Sequence, residues 1–314
     1  MIHIMNSFTA NEPDASEFYR DCRLCPRRCG VDRTAGETGV CGENSVIHAA
    51  RAALHFWEEP CISGREGSGA VFFSGCALGC VYCQNREISD GSFGRALSVE
   101  RLAEIFLELQ GKGANNINLV TPDHFAPSVV RSLRLAKPKL HIPVICNCSG
   151  YMSEEAFRLL SPCVDVWLPD LKYYDPKMAE KYSHAPDYFG TAAAALKLMY
   201  ESAGDPAFDG RGMITRGVIV RHLVLPGHCE DSKKIIHYLY DTYKDHIYIS
   251  IMNQFTPMPG LSETGSPELA RKLTAREYDS VVDYAIGLGV ENGFIQEGET
   301  AEDSFIPPFD YDGL

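Results

Sequence analysis

The sequence has no apolar run approaching the roughly 18 residues of a membrane span, so none is expected. Its opening residues, MIHIMNSFTANEPDASEFYR, lack a basic start followed by an apolar run. No secretory signal is therefore expected, and the expected compartment is the cytoplasm. Positive charge is scarce: 29 Lys and Arg face 42 Asp and Glu, for a net charge of −13. Such a chain is expected to bind neither nucleic acid nor anionic membrane in any general way. An internal repeat at solenoid spacing and a low-complexity segment are also missing, which argues against a repeat array.

Cysteine, by contrast, is plentiful. Twelve occur, and without an export signal disulfides are not expected. Buried thiols and metal ligands remain, and spacing decides between them. Seven fall in two tight groups before residue 84. The other five are Cys61, Cys146, Cys148, Cys163 and Cys229. They show no tight ligand spacing and read as buried small apolar residues.

A chain of 314 residues that is 45% hydrophobic suffices for one large domain with a small appendage. The pattern divides near residue 68. Residues 1–67 form a Cys-, Arg- and Gly-rich extension with little periodicity. Residues 68–298 alternate short apolar runs with helical patterns, and residues 299–314 form an acidic tail. The apolar runs are AVFFS (70–74), NINLVT (116–121), PVICN (143–147), VDVWL (164–168), VIVRHLVL (218–225) and IYISIM (247–252). Each is short and rich in β-branched or aromatic residues, as strands are. Ser98 caps an expected helix with Leu102, Ile105, Phe106 and Leu109 on one face, and Ser153 caps another with Phe157 and Leu160 inward. Thr274 and Glu277 form a capping box before Tyr278, Val281, Val282, Ala285 and Ile286. Strands alternating with helices imply parallel βαβ units and an α/β fold, a partial or full (β/α) TIM-type barrel. A doubly wound open sheet is the rival. In either, chemistry sits at the carboxyl ends of the strands, and SGCALGC, TPDH, NCSG, PDLK, PGH and NQFTP all follow an apolar run.

After the first run the chain reads SGCALGCVYCQN, placing Cys76, Cys80 and Cys83 at the spacing C-x3-C-x2-C. Three thiolates from one loop hold three irons of a cubane, whereas ordinary ferredoxin clusters take four. The fourth iron is left open to a small chelating ligand with an amine and a carboxylate, such as the amino-acid end of methionine. Gly75 and Gly79 let the backbone wrap closely. Half a zinc site fits poorly, because zinc usually takes C-x2-C pairs.

This loop resembles that of the radical SAM superfamily. The segments CRLCPRRCGVDR, HFWEEPCISG, FFSGCALGCVYCQN, NINLVTPDH, LPDLKYYDP, RHLVLPGH, MNQFTP and FIQEG are similar to a group described as pyruvate formate-lyase activating enzyme-like. The resemblance covers nearly the whole chain. It implies a 4Fe–4S cluster on Cys76, Cys80 and Cys83 and reductive cleavage of S-adenosylmethionine. The resulting 5′-deoxyadenosyl radical abstracts hydrogen from a substrate. It also implies that Tyr82 lies against the adenine, through its ring or its backbone. The family's Gly-Gly-Glu-type loop for the methionine amine is replaced here by Thr121, Pro122 and Asp123, which leaves Thr121 and backbone carbonyls as candidates. By the same resemblance Asn147 and Ser149 sit near the ribose or sulfonium. Asp170 and Lys172 follow the fourth strand, and Arg221 and His222 lie on the fifth, where related activases contact the cofactor. The competing reading of each is an ordinary buried hydrogen-bonding group. The implied partners are reduced flavodoxin or ferredoxin as electron donor and a glycyl radical enzyme as target.

The earlier group, Cys22, Cys25, Cys29 and Cys41, reads C-x2-C-x3-C-x11-C among Pro26, Gly30, Gly39 and Gly42. Four thiolates suit either a tetrahedral zinc site or a second 4Fe–4S cluster, and the four sulfurs are expected to converge within roughly 4 Å of one point. Activases with extra clusters usually carry those cysteines after the C-x3-C-x2-C loop, so this placement departs from the family. Arg20, Arg23, Arg27, Arg28 and Arg33 stand here against Asp21 and Asp32. They read either as a docking face for an acidic electron donor or as a solvated surface. Glu297, Glu299, Glu302, Asp303, Asp310 and Asp312 read as a solvated, mobile end.

A radical SAM enzyme is thus the leading expectation, as an activase of a glycyl radical protein or as an enzyme acting on a small molecule or peptide. A non-catalytic iron–sulfur electron carrier is the rival from another class, but it gains nothing from an open iron. A zinc-stabilised binding module leaves the strand-end motifs unexplained.

Overall fold

The computed structural model describes residues 15–262, 265–296 and 307–314. Ten strands form its sheet: β1 (Ile47–His55), β2 (Ser68–Phe73), β3 (Arg95–Leu97), β4 (Ile117–Val120), β5 (Val144–Cys148), β6 (Val166–Pro169), β7 (Ala207–Phe208), β8 (Ile214–Leu223), β9 (Tyr248–Met252) and β10 (Gly293–Ile295). Three short helices lie early in the chain, α1 (Glu17–Arg20), α2 (Pro60–Ser63) and α3 (Arg86–Ser89). The longer ones are α4 (Val99–Gly111), α5 (Ala126–Ala136), α6 (Glu154–Leu160), α7 (Pro176–Ser183), α8 (Tyr188–Ala203), α9 (Cys229–Tyr243) and α10 (Ala275–Leu288).

Strands β2, β4, β5, β6, β8, β9 and β10 follow one another in space as in sequence, each parallel to the last. A doubly wound sheet would reverse direction at a switch point. This one does not, so the winding is that of a barrel. Among the described residues it is open, with edges at β10 and β3. All six apolar runs became parallel strands. The three expected caps are present: Ser98 accepts the Arg101 amide, Ser153 accepts the Ala156 amide, and Thr274 with Glu277 forms the box. The α10 face is narrower than expected, since Ile286 is 65% exposed.

Two other expectations are corrected. The division near residue 68 is not a boundary of the sheet, because β1 lies antiparallel against β2, with Ala49 opposite Phe73 and His55 opposite Ser68. Its sequence, IHAARAALH, is rich in alanine and carries no strand signature. After β1 the chain turns inward. In α2, Cys61 and Ile62 pack with Ile145, Val166, Leu168 and Ile219 from three parallel strands, so α2 plugs the amino-terminal end of the barrel. The acidic tail is the second correction. Glu297, Glu299, Glu302 and Asp303 lie outside the described residues; the side chains of Asp310 and Asp312 are exposed as expected, but their backbone is anchored to the sheet. Tyr311 donates its amide to Ala50 O at 3.0 Å, and Ala52 donates its own to Asp312 O at 2.8 Å. Arg51 pairs with both aspartates, and Phe309 is buried against Phe72. An exposed edge of β1 would leave backbone groups unpaired, and this segment satisfies them.

Candidate active site

The loop after β2 is shaped by what presses on it. Gly75 adopts φ +81°, and a Cβ there would sit 2.5 Å from the carbonyl oxygen of Cys41. Gly79 adopts φ +63°, a backbone region that other residues resist. The loop brings Cys76, Cys80 and Cys83 to one open cavity at the carboxyl ends of the parallel strands. Burial, and then the neighbouring Cys80 sulfur, push the Cys76 thiol up to about 12 and that of Cys83 up to about 11. Buried thiols raised this far become thiolates beside a cation. Donors are already in place: the Leu78 amide reaches Cys76 Sγ at 3.4 Å, and the Ser183 hydroxyl reaches Cys80 Sγ at 3.1 Å.

The same cavity is bordered by Tyr82, Thr121, Asn147, Ser149, Asp170, Lys172 and Arg221, so the structure gathers seven of the eight expected cofactor residues. Thr121 holds φ +59°, an outlier for a β-branched residue and a mark of a constrained site. Lys172 is paired with Asp170. Burial opposes its charge, but Asp170 and then the Cys80 sulfur outweigh it and raise its pKa.

His222 is the exception. Alternation along β8 turns Ile219 and Arg221 inward and sends Val218, Val220 and His222 into the outer core. There His222 Nδ1 lies 2.7 Å from Leu171 O and donates to it, and burial lowers its pKa. The ring of Tyr82 is packed among Tyr173, Tyr182 and Phe255, which leaves its backbone side to face a ligand. Asp123 also turns away from the cavity, and burial pushes its carboxyl up to about 6.

Arg221 is not free to receive a ligand carboxylate. It binds Glu59 through two nitrogens, at 2.9 and 2.8 Å, and Glu58 through one of them. Burial works against this guanidinium, but Glu58 and then Glu59 hold it charged and raise its pKa. Glu58 Oε1 also accepts from Asn118 at 2.8 Å and Asn147 at 3.4 Å, building a polar floor above the α2 plug. Neither glutamate was singled out in the sequence. The adjacent acids within HFWEEP were the available signal.

The earlier cysteines pack directly on this loop. The Cys76 amide donates to Cys41 O at 3.2 Å. Arg27 donates to Ala77 O at 2.9 Å, Leu78 O at 3.2 Å and Ser183 O at 2.7 Å, and to His184 O. Arg33 is 1% exposed, donating to Asn44 O and His124 O between the rings of Tyr19 and Phe125. Arg23 pairs with Asp21. Two of the five arginines, Arg27 and Arg33, are therefore internal scaffolding, while Arg20, Arg23 and Arg28 lie on the exposed surface. Cys22, Cys25 and Cys41 are buried and Cys29 is half-buried. The sulfurs of Cys29 and Cys41 lie 3.4 and 3.6 Å from where a Gly39 Cβ would be. The expected convergence of the four sulfurs on one point is not found: among the described residues, no three Cys, His, Asp or Glu side chains are grouped to hold a single metal ion. Of the five remaining cysteines, Cys61 and Cys146 are buried as expected and Cys148 is buried but borders the cavity. Cys163 and Cys229 are only half-buried.

The model of the radical SAM superfamily matches residues 70–239, more than half of the chain, and the chain belongs to that superfamily. Among individual proteins, it is 27% identical over 279 residues to the uncharacterized protein MJ0674 of Methanocaldococcus jannaschii, covering 86% of this chain and 76% of that one. It is similar at 13% identity and a TM-score of 0.48 to SuiB of Streptococcus suis bound to S-adenosylmethionine, covering 74% of this chain but only half of that one. It is similar at 15% identity and the same TM-score to methylornithine synthase (PylB), covering 76% of this chain and 75% of that one. Membership implies a 4Fe–4S cluster and S-adenosylmethionine. Three thiols from one glycine-bent loop, with donors aimed at their sulfurs, fit the cluster. Among the described residues no helix is long and apolar enough to cross a membrane.

Proposed function

We propose that this radical SAM enzyme holds its cluster on Cys76, Cys80 and Cys83 and binds S-adenosylmethionine across the strand ends. One observation carries the reading: three cysteines of one loop and the polar residues of successive strand ends border a single cavity. When bound, the cluster supplies one electron to the sulfonium, releasing methionine and a 5′-deoxyadenosyl radical. The chain's own residues do the rest. Thr121, in its constrained backbone geometry, offers its carbonyl and hydroxyl to the methionine amine. Asn147 and Ser149 orient the ribose. Lys172, held charged by Asp170, offers donors beside the cluster. Tyr82 and its aromatic neighbours exclude water from behind the loop. Cys22, Cys25, Cys29 and Cys41 hold a second metal in this reading.

The finer reading, from the resemblance to the pyruvate formate-lyase activating enzyme-like group, is installation of a glycyl radical on a partner protein, with reduced flavodoxin or ferredoxin as donor. The polar floor favours a second one. Glu58, which borders the cavity and is held by Asn118, Asn147 and Arg221, suits a small polar substrate or a peptide inserted into the barrel. Anaerobic reconstitution with iron and sulfide, reduction, and chromatography for 5′-deoxyadenosine test the common step. Absence of 5′-deoxyadenosine from fully loaded protein would refute it. A glycyl radical signal on a candidate partner, or its absence alongside turnover of a small molecule, separates the two finer readings.

A further inference from the structure

We infer that Cys22, Cys25, Cys29 and Cys41 hold an iron–sulfur cluster, not zinc, and that this outer cluster passes the electron inward to the catalytic loop. The inference rests on the reading that these cysteines bind a metal. Its first support is that every one of the four sulfurs has an N–H donor. The Val40 amide lies 3.3 Å from Cys29 Sγ, and the buried Arg33 guanidinium lies 3.7 Å from Cys22 Sγ. The backbone amides of Arg27 and Glu43 bond to Cys25 and Cys41. The catalytic loop is built alike, with amides on Cys76 and Cys83. Such donors stabilise thiolates and tune an iron–sulfur cluster.

Zinc requires its ligands around one ion, and these sulfurs are not so arranged. The catalytic trio is likewise not grouped around a single ion, as expected where each cysteine of a cubane binds its own iron. A buried carboxylate also lies near the group: Asp123 is 2% exposed and, among the described residues, leaves Oδ1 without a hydrogen-bond partner.

The direction of transfer follows from burial and connection. Cys29 is half-buried beside exposed Arg28 and Val40, while Cys41 is buried against the catalytic loop. One hydrogen bond, Cys76 N–H to Cys41 O at 3.2 Å, joins the two ligand backbones. A reduced one-electron carrier protein of the flavodoxin or ferredoxin class loses one electron. The outer cluster gains it and returns to its starting state as the catalytic site takes it up. No proton moves and no bond forms or breaks in this transfer.

The test uses the full chain, reconstituted anaerobically. Iron and sulfide should each reach about eight per chain, and the Cys76, Cys80, Cys83 triple-alanine variant should keep about four of each. Zinc without sulfide in that variant would overturn the inference. About four irons in the parent protein, with 5′-deoxyadenosine still produced, would overturn it while leaving the proposed function standing. Freeze-quench EPR of parent protein mixed with reduced flavodoxin tests the direction. The outer signal, identified in the triple variant, should appear first and decay as the inner one grows. The inner signal rising first would overturn the role. In Cys29→Ser protein, reduction of the inner cluster by flavodoxin should slow at least tenfold while reduction by titanium(III) citrate is unchanged. No slowing, or equal slowing with both reductants, would count against the role.

Discussion

The hydroxyl of Ser183 stands 3.1 Å from the sulfur of Cys80, and Tyr173 lies 2.7 Å behind it on the same hydroxyl. A donor aimed at a ligand sulfur stabilises the more reduced, more negative cluster. Ser183→Ala should therefore lower the potential of the catalytic cluster. A bond worth about 1 kcal/mol corresponds to a shift on the order of 40 mV for one electron. An EPR-monitored redox titration reads it, and an unchanged or higher potential would show that the contact is packing only.

Replacing any one of Cys76, Cys80 or Cys83 by alanine should reduce 5′-deoxyadenosine release at least about a hundredfold, since a cubane on two thiolates is not held. Cys146→Ala, at a fully buried thiol outside the cavity, should cost about 1 kcal/mol of stability and spare the chemistry. Equal loss in both would mean that folding was being measured.

Arg27→Ala should cost about 3 kcal/mol, because four carbonyls lose a charged donor. Two of those carbonyls, of Ala77 and Leu78, lie inside the cysteine loop, so iron should also be lost faster to a chelator. Arg27→Lys should recover only part of this, having one ammonium in place of a fork. Denaturant melts and chelator kinetics provide the readings.

Arg221→Ala should destabilise by about 3–5 kcal/mol, since two buried carboxylates lose their counter-charge. In the parent chain burial works against Glu59's charge, but Arg221 wins and lowers its pKa. That contribution is therefore present above the ordinary glutamate range and fades as the pH falls through it. Without Arg221 the sign inverts, because burial alone then raises the pKa. The variant's deficit should be larger at pH 8 than at pH 5 in thermal melts, and a pH-independent deficit would contradict the pairing.

Arg271 holds the carboxylate of Glu277 against the opposing effect of burial, and the Thr274 and Gly227 amides assist, so its pKa lies far below the usual range. Glu277→Gln should cost about 1 kcal/mol near neutral pH. The cost should shrink as the pH drops below the ordinary glutamate value, where the unfolded chain takes up its proton first. Melts between pH 3 and pH 7 check the slope.

Much of this was legible in the chain. The β-branched runs announced the parallel strands, and the cysteine spacing announced the loop. Capping residues marked three helices. The period-2 rule also contained the answer for His222: neighbours on a strand face opposite ways, and Ile219 and Arg221 fix which way is inward. What stayed hidden depends on contacts far apart in sequence. Ala-rich β1 is a strand because β2 and the 311–312 backbone pair with it, not because its residues prefer to be one. Arg27, Ser183, Glu58 and Glu59 carry ordinary local surroundings, and their partners lie about 50 to 160 residues away.

Strand β1 runs from the cysteine loop, where Ala49 lies opposite Phe73, to the far end of the barrel, where His55 lies opposite Ser68. Its upstream neighbours are the four early cysteines, and its downstream neighbours are Glu58 and Glu59. Exchanging the first 60 residues for a segment without the two acids would remove the early cysteines and the floor carboxylates together and leave Arg221 buried without its counter-charges. The segment is therefore tied to the barrel by charge as well as by strand pairing.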